Sequence, residues 1–277
     1  MPTANVNGRR FYYEQSGSGP DLVLIMGHGL DHTFWEEQLP VYGQHFRCLT
    51  FDNRGVGKTD VTPRGFTIDD MADDTFGLLD ALGIRQTHVA GISMGGSIAI
   101  AMALKHPDRL HTLSLHSTMG RPYPHIKLRY DILIRVTELN EPELWANTTA
   151  FTAFAMNYVN DHPEVMEQEI ARRRAQRQKM SPQEVEGIVG QYIAFSTYNP
   201  FPRLSSIHLP TQITVGSEDN VTPPRYSEDL HAQIPGSELV VFPGAPHRTL
   251  KFARDEFNRI TLKFLLQRAG KTTATAQ

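Results

Sequence analysis

Ser93 stands in Gly91-Ile92-Ser93-Met94-Gly95-Gly96, directly after the apolar run Thr87-His88-Val89-Ala90. The G-x-S-x-G pattern reads as a buried strand that turns sharply into a helix, with the serine at the turn. Glycines on either side let the backbone bend and keep side chains away from the hydroxyl. The serine is then offered at the end of a sheet, beside the first free N–H groups of a helix, where an oxyanion can be bound. Ser97, Ala99, Ala101 and Ala103 follow, small residues that let a helix lie close on a sheet. The bland alternative is a glycine-rich turn with an incidental serine. Partners for the hydroxyl decide between the two.

A serine hydroxyl is a poor nucleophile at neutral pH and needs an adjacent base that a third group orients. In an open α/β sheet such partners belong just past the carboxyl ends of other strands. Asp219 follows the strand-like run Thr211–Val215, in Gly216-Ser217-Glu218-Asp219. His247 follows Glu238–Phe242, in the loop Pro243-Gly244-Ala245-Pro246-His247. The order Ser93, Asp219, His247 is the one expected for a serine on this kind of turn. Asp219 has rivals in Glu218 and Asp52, and a bland role capping the helix near Pro224. His247 is one of 12 histidines. A second place for an acid, after Leu110–Leu115, holds His116-Ser117 instead.

The elements needed to position these residues are legible as alternation. Strand runs at Phe11–Glu14, Leu22–Met26, Cys48–Phe51, Thr87–Ile92 and Leu110–Leu115 are separated by helical patterns at Thr33–Tyr42, Thr67–Leu82 and Gly95–Lys105. Ile68, Met71, Thr75, Leu78, Leu79 and Leu82 recur at helical spacing, with Thr67 as N-cap and Gly83 at the C-terminal end. From about Arg121 to Leu204 only helical patterns are found: Ile132–Glu138, Glu143–Tyr158, Pro163–Lys179 and Pro182–Tyr198. Strand and helix then alternate again to about Arg268. Alternation of this kind predicts a parallel sheet with helices on both faces. The expected organisation is an α/β core of residues 1–120 and 205–277, with residues 121–204 a helical cap inserted after strand 6.

The 277 residues carry a formal charge of −3, so neither nucleic acid nor an anionic membrane is an expected partner. A single cysteine, Cys48, excludes an internal disulfide framework and a multi-cysteine metal site, and it reads as a buried structural thiol. No metal site is suggested, because the histidines lack ligand-like spacing with Asp, Glu or Cys. The start has no signal-peptide pattern and no run approaches the roughly 20 apolar residues of a membrane span. The cytoplasm is the expected location, and the tail Lys271–Gln277 is expected to be disordered. Gly57-Lys58-Thr59 nearly completes a P-loop, but Asp52 stands where the first glycine belongs and would repel phosphate.

With the serine turn, Asp219 and His247 assembled, the chain resembles the α/β-hydrolase superfamily, in its cap-bearing branch of esterases, enol-lactonases and carbon–carbon bond hydrolases. Phe51-Asp52-Asn53-Arg54-Gly55-Val56-Gly57-Lys58-Thr59 is similar to that family's D-x-R-G-x-G-x-S turn. The resemblance covers about Gly8–Gly120 and Ser205–Gln267, and implies an eight-stranded, mostly parallel sheet. It also implies a second oxyanion donor after Leu22–Met26, where the family has His-Gly and this chain reads Met26-Gly27-His28-Gly29. If Met26-Gly27 takes that place, the donors are the backbone N–H groups of His28 and Met94. If His28-Gly29 takes it, Leu30 replaces His28.

The implied activity is acyl transfer to water without a cofactor, on a small to medium, partly apolar ester or lactone. Phe151, Phe154, Tyr158 and Tyr192 are the aromatic candidates for lining its pocket, although most such residues pack a cap on its core. The basic run Arg172-Arg173-Arg174 and Arg177 could attract a carboxylate-bearing substrate, but such a run is more often a solvated helix face, and Glu169 can pair with Arg173 at i,i+4. Carbon–carbon bond hydrolases of this branch often carry Trp after the histidine, and Arg248 stands there. A serine rather than aspartate at the turn disfavours epoxide or haloalkane hydrolysis. A non-catalytic small-molecule receptor on the same fold is the reading from a different class.

Overall fold

The structure is a computed structural model that describes residues 2–151 and 154–272. Its strands are β1 Thr3–Val6, β2 Arg9–Ser16, β3 Asp21–Ile25, β4 Arg47–Phe51, β5 Thr87–Ile92, β6 Leu110–His116, β7 Thr211–Gly216 and β8 Glu238–Phe242. They form one sheet in the order β1-β2-β4-β3-β5-β6-β7-β8. The β1–β2 and β2–β4 pairs are antiparallel and every other pair is parallel. This is the α/β-hydrolase fold. β1 was not identified in the sequence. It is a four-residue edge strand with only Val6 buried, too short to show a pattern.

The helices are α1 Leu39–Tyr42, α2 Ile68–Ala81, α3 Met94–Lys105, α4 Pro124–Glu138, α5 Pro142–Ala150, α6 Met156–Asp161, α7 Pro163–Lys179, α8 Pro182–Thr197, α9 Pro224–Gln233, α10 Thr249–Phe252 and α11 Arg254–Thr272. Side chains alternate along the parallel strands, so each strand serves two cores. On β3, Val23 and Ile25 join the core beneath α2 and α3, while Leu22 and Leu24 join the one beneath α1 and α11. Thr67 caps α2 in a reciprocal pair with Asp70, and Gly83 follows the helix at φ 71°. α3 is buried from Met94 to Ala103, which its small residues permit.

Helices α4–α8 lie between β6 and β7 and meet the core along α8. Gly187 backs onto Gly55 with no room for a Cβ at either. Beside that contact, Arg64 pairs with Glu186 and, at 2.7 Å, with Glu138.

Two predicted helices are broken. Thr33–Tyr42 divides into a 3-10 turn at His32–Trp35 and the short α1, because Pro40 fits a first helical turn but not an interior. Glu143–Tyr158 divides into α5 and α6; Thr152 and Ala153 lie outside the described residues. In the expected disordered tail, Lys271 and Thr272 complete α11, and residues 273–277 lie outside the description. Among the described residues no helix is long and apolar enough to cross a membrane.

Candidate active site

Ser93 joins β5 to α3 at φ 55° and ψ −120°. A non-glycine residue held there stores about 1–3 kcal/mol, so the surroundings must impose it. They do so by hydrogen bonds on both sides of the residue. Ser93 N donates to His116 O at 2.9 Å, and Ser93 O accepts from Thr118 Oγ1 at 2.7 Å and Gly96 N at 3.0 Å. The flanking glycines have a steric reason. A Cβ on Gly91 would strike the Gly95 carbonyl, and one on Gly95 would strike the carbonyls of Ile25 and Met26. The serine is 3 % exposed, and among the described residues its Oγ has no hydrogen-bond partner.

The loop after β3 runs beside it, and a Cβ on Gly27 would come within 3.2 Å of the Ser93 Cβ. The next amide, His28 N–H, and the Met94 N–H at the start of α3 have no protein acceptor among the described residues. Gly29 N–H does have one, Gln191 Oε1 at 2.8 Å. Gln191 is fully buried on α8 and also donates through Nε2 to Arg54 O at 2.8 Å. It ties this loop to the Arg54 turn. The His28 ring meets Tyr130 and Tyr192 edge-on, with Nδ1 3.0 Å from the Tyr130 hydroxyl. Burial, with Arg129, His247 and Arg173 adding to it, pushes its pKa down to about 3 and keeps the ring neutral.

Asp219 is buried behind His247. Its Oδ1 accepts from Val221 N at 2.9 Å and Thr222 N at 2.8 Å, and its Oδ2 from Thr222 Oγ1 at 3.0 Å. His247 Nδ1 stands 2.9 Å from Oδ2. A proton on Nδ1 satisfies that carboxylate and leaves Nε2 as the basic nitrogen. Asp52 is engaged elsewhere, accepting from His32 N at 2.7 Å and Lys58 N at 2.8 Å with His32 Nδ1 at 2.7 Å. The carboxylate at the P-loop-like turn therefore holds that loop together.

Ser93, His28, His247 and Tyr192 line one cavity of about 400 Å³. Phe151, Phe154 and Tyr158 are corrected, because none of them lines it. Phe151 is 67 % exposed, while Phe154 and Tyr158 stack on each other and against Phe252 of α10, fixing α6 to the core. Leu133, Trp145 and Ile188 provide apolar wall instead.

The basic run is also corrected. Arg172 and Arg174 face outward in part, but Arg173 is only 13 % exposed in its side chain and Glu169 only 10 %. Glu169 receives Arg172 at 2.8 and 2.9 Å, Arg173 at the expected i,i+4 spacing at 2.8 Å, and Arg248 at 3.4 Å. Burial works to raise the Glu169 carboxyl, but the three guanidiniums outweigh it and bring it to about 2. Burial, with Arg173 nearby, brings Arg248 down to about 10. Helical spacing left open which face of α7 is inward. The arginine run itself, which could attract a carboxylate-bearing substrate, was the sequence signal for this wall, and Arg248 beside His247 completes it.

A family model described as alpha/beta hydrolase fold matches residues 20–252. A Caulobacter sp. strain K31 protein with the provisional name carbamate hydrolase RutD is 29 % identical, over 96 % of this chain and 98 % of its own length. A thermophilic esterase structure from Thermogutta terrifontis is 28 % identical with a TM-score of 0.83, covering 97 % of this chain and 98 % of that one. The enol-lactonase structure from Burkholderia xenovorans LB400 is 26 % identical with a TM-score of 0.82, covering 96 % and 100 %. The chain belongs to the α/β-hydrolase family, and it is a hydrolase enzyme.

Proposed function

We propose that this hydrolase cleaves a carboxylic ester or lactone of a small to medium, partly apolar substrate through an acyl-enzyme on Ser93. The observation that carries this reading is a serine in a strained strand-to-helix turn, sharing a cavity with a histidine whose far nitrogen faces a buried carboxylate. In the mechanism, His247 Nε2 takes the Ser93 proton as Oγ attacks the carbonyl carbon. Asp219 holds the imidazole in the required tautomer and stabilises the imidazolium. The His28 and Met94 N–H groups bind the oxyanion, each worth about 3 kcal/mol of barrier where such donors have been removed. His247 then protonates the leaving oxygen, and water releases the acyl group by the reverse path. Residues 121–204 act as a cap over the core of residues 1–120 and 205–277.

Carbamates enter the same chemistry, since serine attack on their carbonyl needs the same groups, and the name of the Caulobacter relative puts them in the substrate panel. Carbon–carbon cleavage ranks lower because Arg248 follows the histidine. The test is intact-mass spectrometry after treatment with a small fluorophosphonate. One stoichiometric adduct is expected on the wild type and none on Ser93→Ala or His247→Ala. Folded wild type that takes no adduct overturns the reading in favour of a binding scaffold. Esters, lactones and carbamates then decide the substrate.

Gln191 acts here as a positioning residue. Gln191→Leu leaves the Gly29 N–H and the Arg54 carbonyl without their partner, at roughly 1–3 kcal/mol each. The expected result is a fall in kcat of about ten- to a hundredfold with KM nearly unchanged, because the oxyanion site is disturbed rather than the ground-state pocket. A purely structural role would lower the melting temperature and the active fraction while leaving kcat per labelled serine intact. Active-site titration with the same fluorophosphonate separates the two.

A further inference from the structure

The charges around the cavity do not balance. Besides Arg129, which has an interaction of its own, four cationic side chains line it, Arg172, Arg173, Arg248 and Lys251, against the carboxylates of Asp31 and Glu36. Lys251 is answered by Glu36 at 3.5 Å and Glu37 at 3.1 Å. Arg172, Arg173 and Arg248 share one carboxylate, Glu169. Arg172 is more than half exposed, grips Glu169 at two points and lies near Asp31, whereas Arg173 and Arg248, 13 % and 21 % exposed, have only a share of that one carboxylate. Cations kept there cost desolvation energy that only a further anion recovers.

The way the cluster is bonded narrows what that anion is. Among the described residues Arg173 donates only through Nε to Glu169, and Arg248 only through one terminal nitrogen at 3.4 Å. Both terminal nitrogens of Arg173 and most donors of Arg248 are left to the cavity. A guanidinium offers its donors as a planar fork that matches a carboxylate at two points. Arg172 already grips Glu169 that way, with two bonds at 2.8 and 2.9 Å. Glu169 fixes the forks in place while leaving them charged. Arg248 directly follows His247 in the chain, so the basic wall begins next to the reacting groups, and the apolar wall of Leu133, Trp145 and Ile188 shares the same cavity.

We propose that this basic wall is a subsite for a carboxylate that the substrate carries away from the bond to be cut, held by the forks of Arg173 and Arg248. The substrate class is then an acidic half-ester, or a lactone bearing a free carboxylate, with a short apolar chain between the two ends. The inference rests on the reading of Ser93 as the nucleophile that cuts the other end.

The test compares monomethyl adipate with methyl hexanoate, which have the same chain length and differ by one carboxylate. Wild type is expected to favour the half-ester by tenfold or more in kcat/KM, carried mainly by KM. The preference is expected to shrink with added salt, which screens partly exposed charges. Arg173→Gln and Arg248→Gln are each expected to cut the preference at least tenfold. Arg174→Gln, on the same helix but paired with Glu143 at the surface, keeps the wild-type preference. Equal hydrolysis of the two esters by wild type overturns the proposal, as does an equal loss on both substrates in the arginine variants. If neither ester is cut, calorimetry with adipate on Ser93→Ala protein reads the subsite independently of catalysis. Binding that disappears on adding Arg173→Gln supports the subsite while the nucleophile reading fails. No binding overturns the subsite.

Discussion

Asp219→Asn is expected to lower turnover by roughly 10⁴-fold, the size seen when the same tautomer error is made in a serine protease, with the melting temperature nearly unchanged. The two carboxylate oxygens of Asp219 are bonded differently. Val221 N and Thr222 N both donate to Oδ1, so an asparagine must place its amide oxygen there. Its NH2 group then takes the position of Oδ2, the nearer of the two oxygens to His247 Nδ1, at 2.9 Å against 3.1 Å. A donor facing Nδ1 demands a lone pair on that nitrogen and drives the ring proton to Nε2. Nε2–H cannot take the Ser93 proton. The loop keeps its two amide bonds and loses only the acceptor of the Thr222 hydroxyl, which can turn to accept from the NH2, so the fold suffers little. Steady-state hydrolysis and the rate of fluorophosphonate labelling should fall together. A variant that keeps a tenth or more of wild-type turnover would show that another group orients His247.

What the sequence made legible was local. The turn at Ser93 is marked by glycines two positions to either side: the Gly95 carbonyl forbids a Cβ at Gly91, and the carbonyls of Ile25 and Met26, at the end of the adjacent strand, forbid one at Gly95. Strand ends carrying Asp219 and His247 followed from alternation, because a parallel sheet buried on both faces leaves continuous apolar runs. The cavity wall facing them was not legible. It joins α4, α7, α8 and the loop after β8, and which face of α7 is inward depends on how α7 docks on α5. Arg173 and Arg174 are neighbours of the same type, yet one is buried on Glu169 and the other stands in water with Glu143. Phe154 and Tyr158 have the spacing of pocket residues, but their partner is Phe252 of the core, far away in sequence. β1 was missed because pairing with β2, rather than any pattern of its own, makes it a strand.

Stability against acid should fall earlier and more steeply than carboxylates alone would cause. Three buried histidines are responsible. Burial pushes His28 and His116 down to about 3 and His88 to about 4, against about 6.5 in the unfolded chain. Their neighbours cannot welcome a charge. His88 Nδ1 faces Thr112 Oγ1 at 2.9 Å, with Nε2 unpartnered among the described residues, and His116 Nδ1 faces Thr214 Oγ1 at 2.9 Å beside Trp35 and Phe257. Below pH 6.5 the unfolded chain binds protons that the folded chain refuses. Stability is therefore whole above that pH and is lost as pH falls toward the folded values, by up to about 1.4 kcal/mol per pH unit for each group. Glu169, held at about 2, adds its own loss only below the ordinary carboxylate range. Denaturant titrations should give a flat unfolding free energy from pH 8 to 7 and a steep fall between pH 6 and 4. His116→Gln, which keeps a polar group for Thr214 but cannot titrate, should flatten that fall by one proton. A free energy constant down to pH 5 would mean that the histidines titrate within the folded protein. His28 separates from the other two, because it lies on the loop beside Ser93 with Arg129 and Arg173 already near it. A charge there would add a further cation beside that wall, and with burial this holds the ring neutral down to about 3, so the loop beside Ser93 should give way only as the fold itself does.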